Sequence, residues 1–201
     1  MRFDRPGFPL LILLGAALLA PAGTSAPAGA SKIAGDFSLP DLNGKTIHLA
    51  EINAEHPVLV SFWATWCVPC PQEMQHLQRF HEQYGAKGLQ ILAISIDGPK
   101  TVSQVKPFVT GRRFTLPVLL DTNNDVKRLY QVSAVPSVCL LKPGRELAFH
   151  HVGYKPGDEI GLEREIRAVL GLGDETPAAD DSTHASGAEA DSADARGKPR
   201  P

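Results

Sequence analysis

Residues 57–74 read PVLVSFWATWCVPCPQEM. The opening Pro57–Trp63 is a continuous apolar run, the pattern of a strand buried on both faces. From Cys67 to Tyr84, residues Met74, Leu77, Phe80 and Tyr84 fall near one face of a helix, and Gly85 and Gly88 stop it. A CxxC pair, Cys67 and Cys70, therefore sits where a buried strand hands over to a helix. Free backbone N–H groups at a helix N-terminus stabilise negative charge. A cysteine held there has its thiolate favoured, and the thiolate is the nucleophile. This places Cys67 exposed at the helix cap and Cys70 within the first turn, pointing back, so that the two can close a small disulfide. Pro69 fits an early helical position, where its missing N–H costs nothing. Val68-Pro69 puts no charge between the cysteines, which predicts a more reducing pair than one carrying an intervening histidine.

Before this stretch, FSLPDLNGKTIHLAEI alternates apolar residues around Asn43-Gly44, a hairpin signal. After it, LQILAISID reads as a second buried strand. Residues 100–113 form a helix that Pro107 interrupts, LPVLLD is a short strand, and NDVKRLY a short helix. Pro136 opens the strand SVCLLK. Pro143-Gly144 then turns the chain into ELAFHHVGY, which pairs back. A last helix runs from Asp158 to Leu170, with Leu162, Ile166, Val169 and Leu170 on one face. Strands alternating with helices, then a closing hairpin and helix, give an α/β fold around a mixed sheet.

The ends differ in kind from this middle. Arg2 and Arg5 precede an apolar run of about 13 residues, Phe8–Ala20, followed by small residues. A spanning helix needs about 20. Residues 1–26 are thus expected to be a signal peptide or a retained N-terminal anchor, with cleavage sites available after Ala22, Ala26 or Ala28. Either reading places the folded part outside the cytoplasm, in a periplasmic or other extracytoplasmic compartment. Residues 27–35 read as a linker, 36–171 as the folded domain, and 172–201 as a disordered acidic tail. From Asp174 that tail holds seven acidic and three basic residues and no aromatic one, so it cannot bury enough surface to fold. The formal charge of -2 and the absence of any Lys/Arg cluster argue against a nucleic-acid partner.

The exported chain keeps three cysteines, Cys67, Cys70 and Cys139. A domain of this size does not need a staple, so the CxxC pair reads as redox-active rather than structural. Structural zinc needs a second ligand pair, and only Cys139 and scattered histidines are available. Two alternatives to redox exchange stay open. One is a soft-metal carrier binding copper(I) through the same dithiol. The other is a thiol peroxidase, although the PxxxTxxC pattern expected of one is absent: Trp63 stands four before Cys67, and Thr65 two before it. Cys139, on the strand after Pro136, reads as a buried small hydrophobe. His150 and His151 point to opposite faces of a strand and cannot clamp one metal together. Trp63 reads as core.

WCVPC, the following Pro71-Gln72-Glu73, and YQVSAVPS with its Val135-Pro136 resemble the TlpA/ResA/CcmG-like branch of thioredoxins across about residues 36–170. The resemblance implies a thioredoxin fold, a central mixed sheet flanked by helices, with an added N-terminal hairpin. It implies a thiol–disulfide oxidoreductase acting on exported protein thiols or disulfides, with no cofactor beyond the redox-active disulfide. Many members are reductants of apocytochrome c or related substrates and draw electrons from a membrane thiol reductase, some while tethered to the membrane. Carried over by position, Cys67 is the attacking cysteine and Cys70 the resolving one. Pro136 is then a cis-proline, with Val135 offering backbone groups to an extended substrate, and Trp66 shields the cysteines and contacts substrate. An ordinary strand-start proline is the alternative for Pro136. Thioredoxin itself has a buried aspartate six residues before its first cysteine. Here that position is Ser61, and Glu73 is the candidate for proton handling; the alternative is a helix-surface glutamate.

Overall fold

The computed structural model describes residues 32–173. The expected export segment and all but the first two residues of the expected tail lie outside them. Among the described residues no helix is long and apolar enough to cross a membrane.

Strands β1 (Ser38–Pro40) and β2 (Thr46–His48) form an antiparallel hairpin, followed by a short helix α1 (Leu49–Ile52). Its loop is closed by Asp41 rather than by a two-residue turn. The Asp41 N–H donates to Lys45 O, the Gly44 N–H donates to Asp41 O, and the Asp41 carboxylate accepts from the N–H groups of Asn43 and Lys45. Gly44 has φ 83°, which a residue with a Cβ adopts only under strain.

The main sheet has strand order β5-β4-β3-β6-β7. Strands β3 (Val58–Trp63), β4 (Gln90–Ser95) and β5 (Val118–Leu120) run parallel. Strands β6 (Ser137–Leu141) and β7 (Leu147–Val152) add antiparallel partners on the other side of β3. All six residues of β3 are buried, as the unbroken apolar run predicts of a central strand covered on both faces. A bridge between Asp41 and Leu119 ties the hairpin to the β5 edge.

Alternation along β3 separates the two faces. Ser61 and Trp63 face α2 (Cys70–Tyr84) and α3 (Val105–Gly111): the Ser61 hydroxyl bonds Glu73 of α2, and Trp63 packs on Phe108 of α3 with ring centroids 5.0 Å apart. The last helix, α5 (Asp158–Val169), joins this layer through a 2.6 Å hydrogen bond donated by the Tyr84 hydroxyl to Glu163. Phe62 faces the other way, toward Tyr130 at the end of α4 (Asp125–Leu129), and Tyr130 in turn packs edge-on against Phe37. Buried Asp121 holds α4 in place by accepting from the N–H groups of Asp125, Val126 and Lys127.

One boundary differs from the sequence expectation. Residues 32–35, read as the end of a linker over 27–35, belong to the fold. Ile33 bridges Glu146, Leu147 N–H donates to Lys32 O, Ala34 N–H donates to Arg145 O, and the Tyr130 hydroxyl donates to Gly35 O. These bonds use backbone groups that every residue carries, so an Ala/Gly/Ser-rich composition hides them. A chain starting at Asp36 should therefore melt several degrees below one starting at Lys32, from the loss of three hydrogen bonds at about 1 kcal/mol each or less. Equal melting temperatures would restore the linker reading.

Candidate active site

The CxxC pair lies where the loop after β3 enters α2. Cys67 and Cys70 are joined in a disulfide with Cα atoms 5.5 Å apart. Helix α2 begins at Cys70, not at Cys67 as the apolar periodicity suggests. Residues 64–69 turn before the helix starts: Cys67 N–H donates to Ala64 O, and Pro69 O accepts from the N–H groups of Gln72 and Glu73. Pro71 sits in the first helical turn, where no N–H is required. Cys67 is also less open than expected, at 5% exposure, with Cys70 at 0%. The disulfide ties its sulfur to a fully buried neighbour, and the flanking side chains take the exposed positions instead, Trp66 at 59% and Val68 at 91%. A tryptophan and a valine left in solvent beside a disulfide make an apolar rim around it.

A second carboxylate, Asp97, fixes this loop. It is buried just beyond the end of β4 and accepts from Thr65 N–H at 2.9 Å, the Thr65 hydroxyl at 2.6 Å and the Ser95 hydroxyl at 2.9 Å. The sequence reading missed it. The available signal was an acid closing the apolar run 89–96, on a strand parallel to β3 whose end lies beside the start of the CxxC loop. Val135-Pro136 arrives from the other side. The peptide bond between them is cis. Since Phe62 pairs with Ser137 in antiparallel register, Pro136 is level with Trp63, where the CxxC loop departs.

Glu73 lies one turn along α2 from Cys70, on the same buried face. At 4% exposure it is not a helix-surface residue. The Ser61 hydroxyl donates to its carboxyl at 3.1 Å. Burial pushes the acid up to about 8 from an ordinary value of 4.5, with the Ser61 bond opposing this and the charge of Asp158 adding to it. The position that holds a buried acid on the strand of thioredoxin thus holds the hydroxyl partner of a buried acid on the helix.

Cys139 belongs to neither group. It pairs with Val60 in register, so its side chain lies on the sheet face away from α2. Burial raises its thiol to about 11, which keeps it protonated and unreactive at neutral pH. His150 and His151 lie on opposite faces, as strand alternation demands: His150 toward Ser137 and Cys139, His151 toward Asp158 at 3.2 Å. Among the described residues, no group of three or more His, Cys, Asp or Glu side chains is placed to hold a metal ion.

Residues 30–150 match the AhpC/TSA family. The chain belongs to the AhpC/TSA family. It is 33% identical over 146 residues to the thiol-disulfide oxidoreductase ResA of Oceanobacillus iheyensis, covering 69% of this chain and 74% of that one. It is 32% identical over 133 residues to the ResA of Geobacillus thermodenitrificans, covering 66% and 75%. Among solved structures it is similar to a Chlorobium tepidum protein proposed to be a thiol:disulfide interchange protein DsbE, with 30% identity, a TM-score of 0.65, and coverage of 70% of this chain and 96% of that one. The thioredoxin fold with an added N-terminal hairpin, expected from the resemblance to the TlpA/ResA/CcmG-like branch, is the fold observed.

The buried acid makes stability depend on pH. Folded Glu73 holds its proton up to about pH 8, whereas the unfolded side chain releases it near 4.5. The folded protein therefore carries one extra proton across that window, and its stability falls as pH rises from 4.5 to 8. At about 1.4 kcal/mol per unit, the loss is on the order of 5 kcal/mol. Glu73→Gln, which keeps an oxygen for the Ser61 hydroxyl but cannot ionise, should flatten this dependence in denaturant titrations of the oxidised protein at pH 5 and pH 8.5. An unaltered slope would show that Glu73 ionises without penalty.

Proposed function

We propose that this protein is a thiol–disulfide oxidoreductase that exchanges disulfides with exported proteins through Cys67 and Cys70, working as a reductant. The observation that carries this reading is the Cys67–Cys70 disulfide itself, set where the loop after a buried strand enters a helix, with a buried carboxylic acid one turn beyond it.

In the reductive direction the steps balance as follows. The Cys67 thiolate attacks a substrate disulfide, forming a mixed disulfide and releasing one substrate sulfur as a thiolate. In its ionised form, which becomes populated as pH approaches 8, the Glu73 carboxylate takes the Cys70 thiol proton, and Cys70 attacks the Cys67 sulfur. The second substrate sulfur leaves, the substrate has gained two electrons, and the Cys67–Cys70 disulfide is restored. The assignment of Cys67 as the attacking group rests on exposure: it retains some, and Cys70 has none. The dithiol carries the electrons, so no further cofactor enters the reaction. Trp66, Val135 and Pro136 are assigned to substrate. Trp66 supplies an exposed apolar surface beside the disulfide, and Val135-Pro136 supplies backbone groups for an extended substrate at the same end of the sheet.

The finer setting follows from the sequence. The apolar run Phe8–Ala20 supports export, with the domain free in the periplasm or tethered at the membrane, and a membrane thiol reductase as the source of electrons. Cytochrome c maturation is the setting that the resemblance to the TlpA/ResA/CcmG-like branch supports. The thiol-peroxidase alternative finds no support at Thr65, whose hydroxyl donates to Asp97.

Cys70→Ser in the exporting cell should accumulate mixed disulfides at Cys67 with exported proteins, released by reductant and identified by mass spectrometry. Cys67→Ser should yield none. Recovery of no trapped partner from Cys70→Ser would contradict a role in substrate exchange.

A further inference from the structure

A buried acid that accepts a proton in each cycle must also lose it. On one side Glu73 is closed in by the β3 strand, where Ser61 is fully buried, and by Cys70, which is fully buried as well. On the other side it lines a cavity of about 230 Å³ between α2, the β6/β7 face and the N-terminal end of α5. That is room for several waters, since one needs roughly 10–15 Å³ of such space. The walls are apolar at Leu77, Val138, Phe149 and Leu162.

Sheet register aims the cavity. Ser61 pairs with Val138, and Val138 pairs with His151, so the three residues form a row across the α2 face of the sheet. At about 4.8 Å between neighbouring strands, His151 stands about 10 Å from the Ser61 position over which the Glu73 carboxyl sits. Exposure rises along this row. Glu73 is 4% exposed, while the His151 side chain is 40% exposed and that of its partner Asp158 is 20% exposed. His151 is stacked against Phe149, and its Nε2 lies 3.2 Å from an Asp158 carboxylate oxygen. Asp158 is held in turn by the N–H of Lys155.

We propose that this cavity is the proton outlet of Glu73, and that the His151–Asp158 pair at its mouth is the relay and positioning pair that passes the proton to solvent; the inference rests on the proton-accepting role given to Glu73 above. An imidazole can take a proton on one nitrogen and release one from the other. In the balanced step, Glu73 takes the proton that Cys70 loses, cavity water carries it to His151, and His151 gives up a proton to solvent, leaving both groups as they began. The other titratable groups facing Glu73 are His76 on its own helix, Tyr154 in the β7–α5 loop, and Glu159 on α5. Burial holds His76 below its usual range, and Arg79 already bonds its Nδ1. Burial and the bond to Glu159 push Tyr154 up to about 12. The Glu159 carboxylate is occupied by the Tyr154 hydroxyl and the Gly157 N–H. These engagements leave His151 as the group best placed to relay.

The test is single-turnover reduction of a model aromatic disulfide by the reduced full-length protein, followed across pH in weakly buffering solution. His151→Ala should slow exchange several-fold near pH 7, and free imidazole should restore the rate. Asp158→Asn removes a negative charge that opposes ionisation of Glu73, so it should move the acid limb of the pH–rate profile about half a unit or more toward lower pH. Glu73→Gln should abolish both the imidazole response and the dependence on Asp158. Wild-type rates and profiles in His151→Ala and Asp158→Asn, with Glu73→Gln still impaired, would overturn the outlet while leaving the role of Glu73 standing. A wild-type profile in Glu73→Gln would overturn both.

Discussion

A buried carboxylic acid one turn of helix beyond the disulfide, bonded by a serine hydroxyl, is the constraint around which this site is built. Glu73 cannot ionise cheaply where it sits, because among the described residues no cation compensates it and Ser61 offers only one donor. That cost is also its chemical use. A carboxyl held near neutrality can take up and release a proton at working pH, which an exposed glutamate near 4.5 does poorly. The position of Glu73 follows from its spacing. Three residues after Cys70, it shares the buried face of α2 and meets the β3 residue whose side chain alternates toward that helix.

The sheet delivers the other parts to the same end. Parallel β3 and β4 finish side by side, one giving the CxxC loop and the other the Asp97 carboxylate that grips Thr65. Antiparallel β6 starts there and brings Val135-Pro136 level with Trp63. The same alternation that turns Ser61 toward the site turns Cys139 away from it. The third thiol is separated from the redox pair by the sheet itself as well as by its raised protonation range. Two cysteines can thus cycle while a third stays inert.

The sequence revealed what depends on periodicity and missed what depends on contact. The buried strand at Pro57–Trp63, the helix after it, the hairpin around Gly44 and the opposite facing of His150 and His151 all follow from spacing, and all are present. Helix α2 starts three residues later than its apolar spacing suggests, because that spacing constrains the middle of a helix and not its first turn. Residues 32–35 passed as linker because their bonds come from backbone. Glu73 stood undecided between surface and interior, since both positions suit the first turn of a helix; its burial needed the partner at Ser61 to be seen. Asp97 carried a legible clue, an acid ending an apolar strand, but its bond to Thr65 spans 32 residues and no local pattern announces it. The row Ser61–Val138–His151 exists only through strand register, so the sequence shows His151 as half of a pair on opposite strand faces and not as a neighbour of Glu73.

The measurement that bears most directly on this account is the titration of Glu73 itself, by NMR of the oxidised protein carrying carbon-13 at glutamate side-chain carboxyls, with Glu73→Gln assigning the signal. The account predicts a midpoint about pH 8, well apart from the exposed glutamates. A midpoint in the ordinary carboxylate range near 4.5 would contradict it, since so weak a base would take little of the proton from the Cys70 thiol at neutral pH.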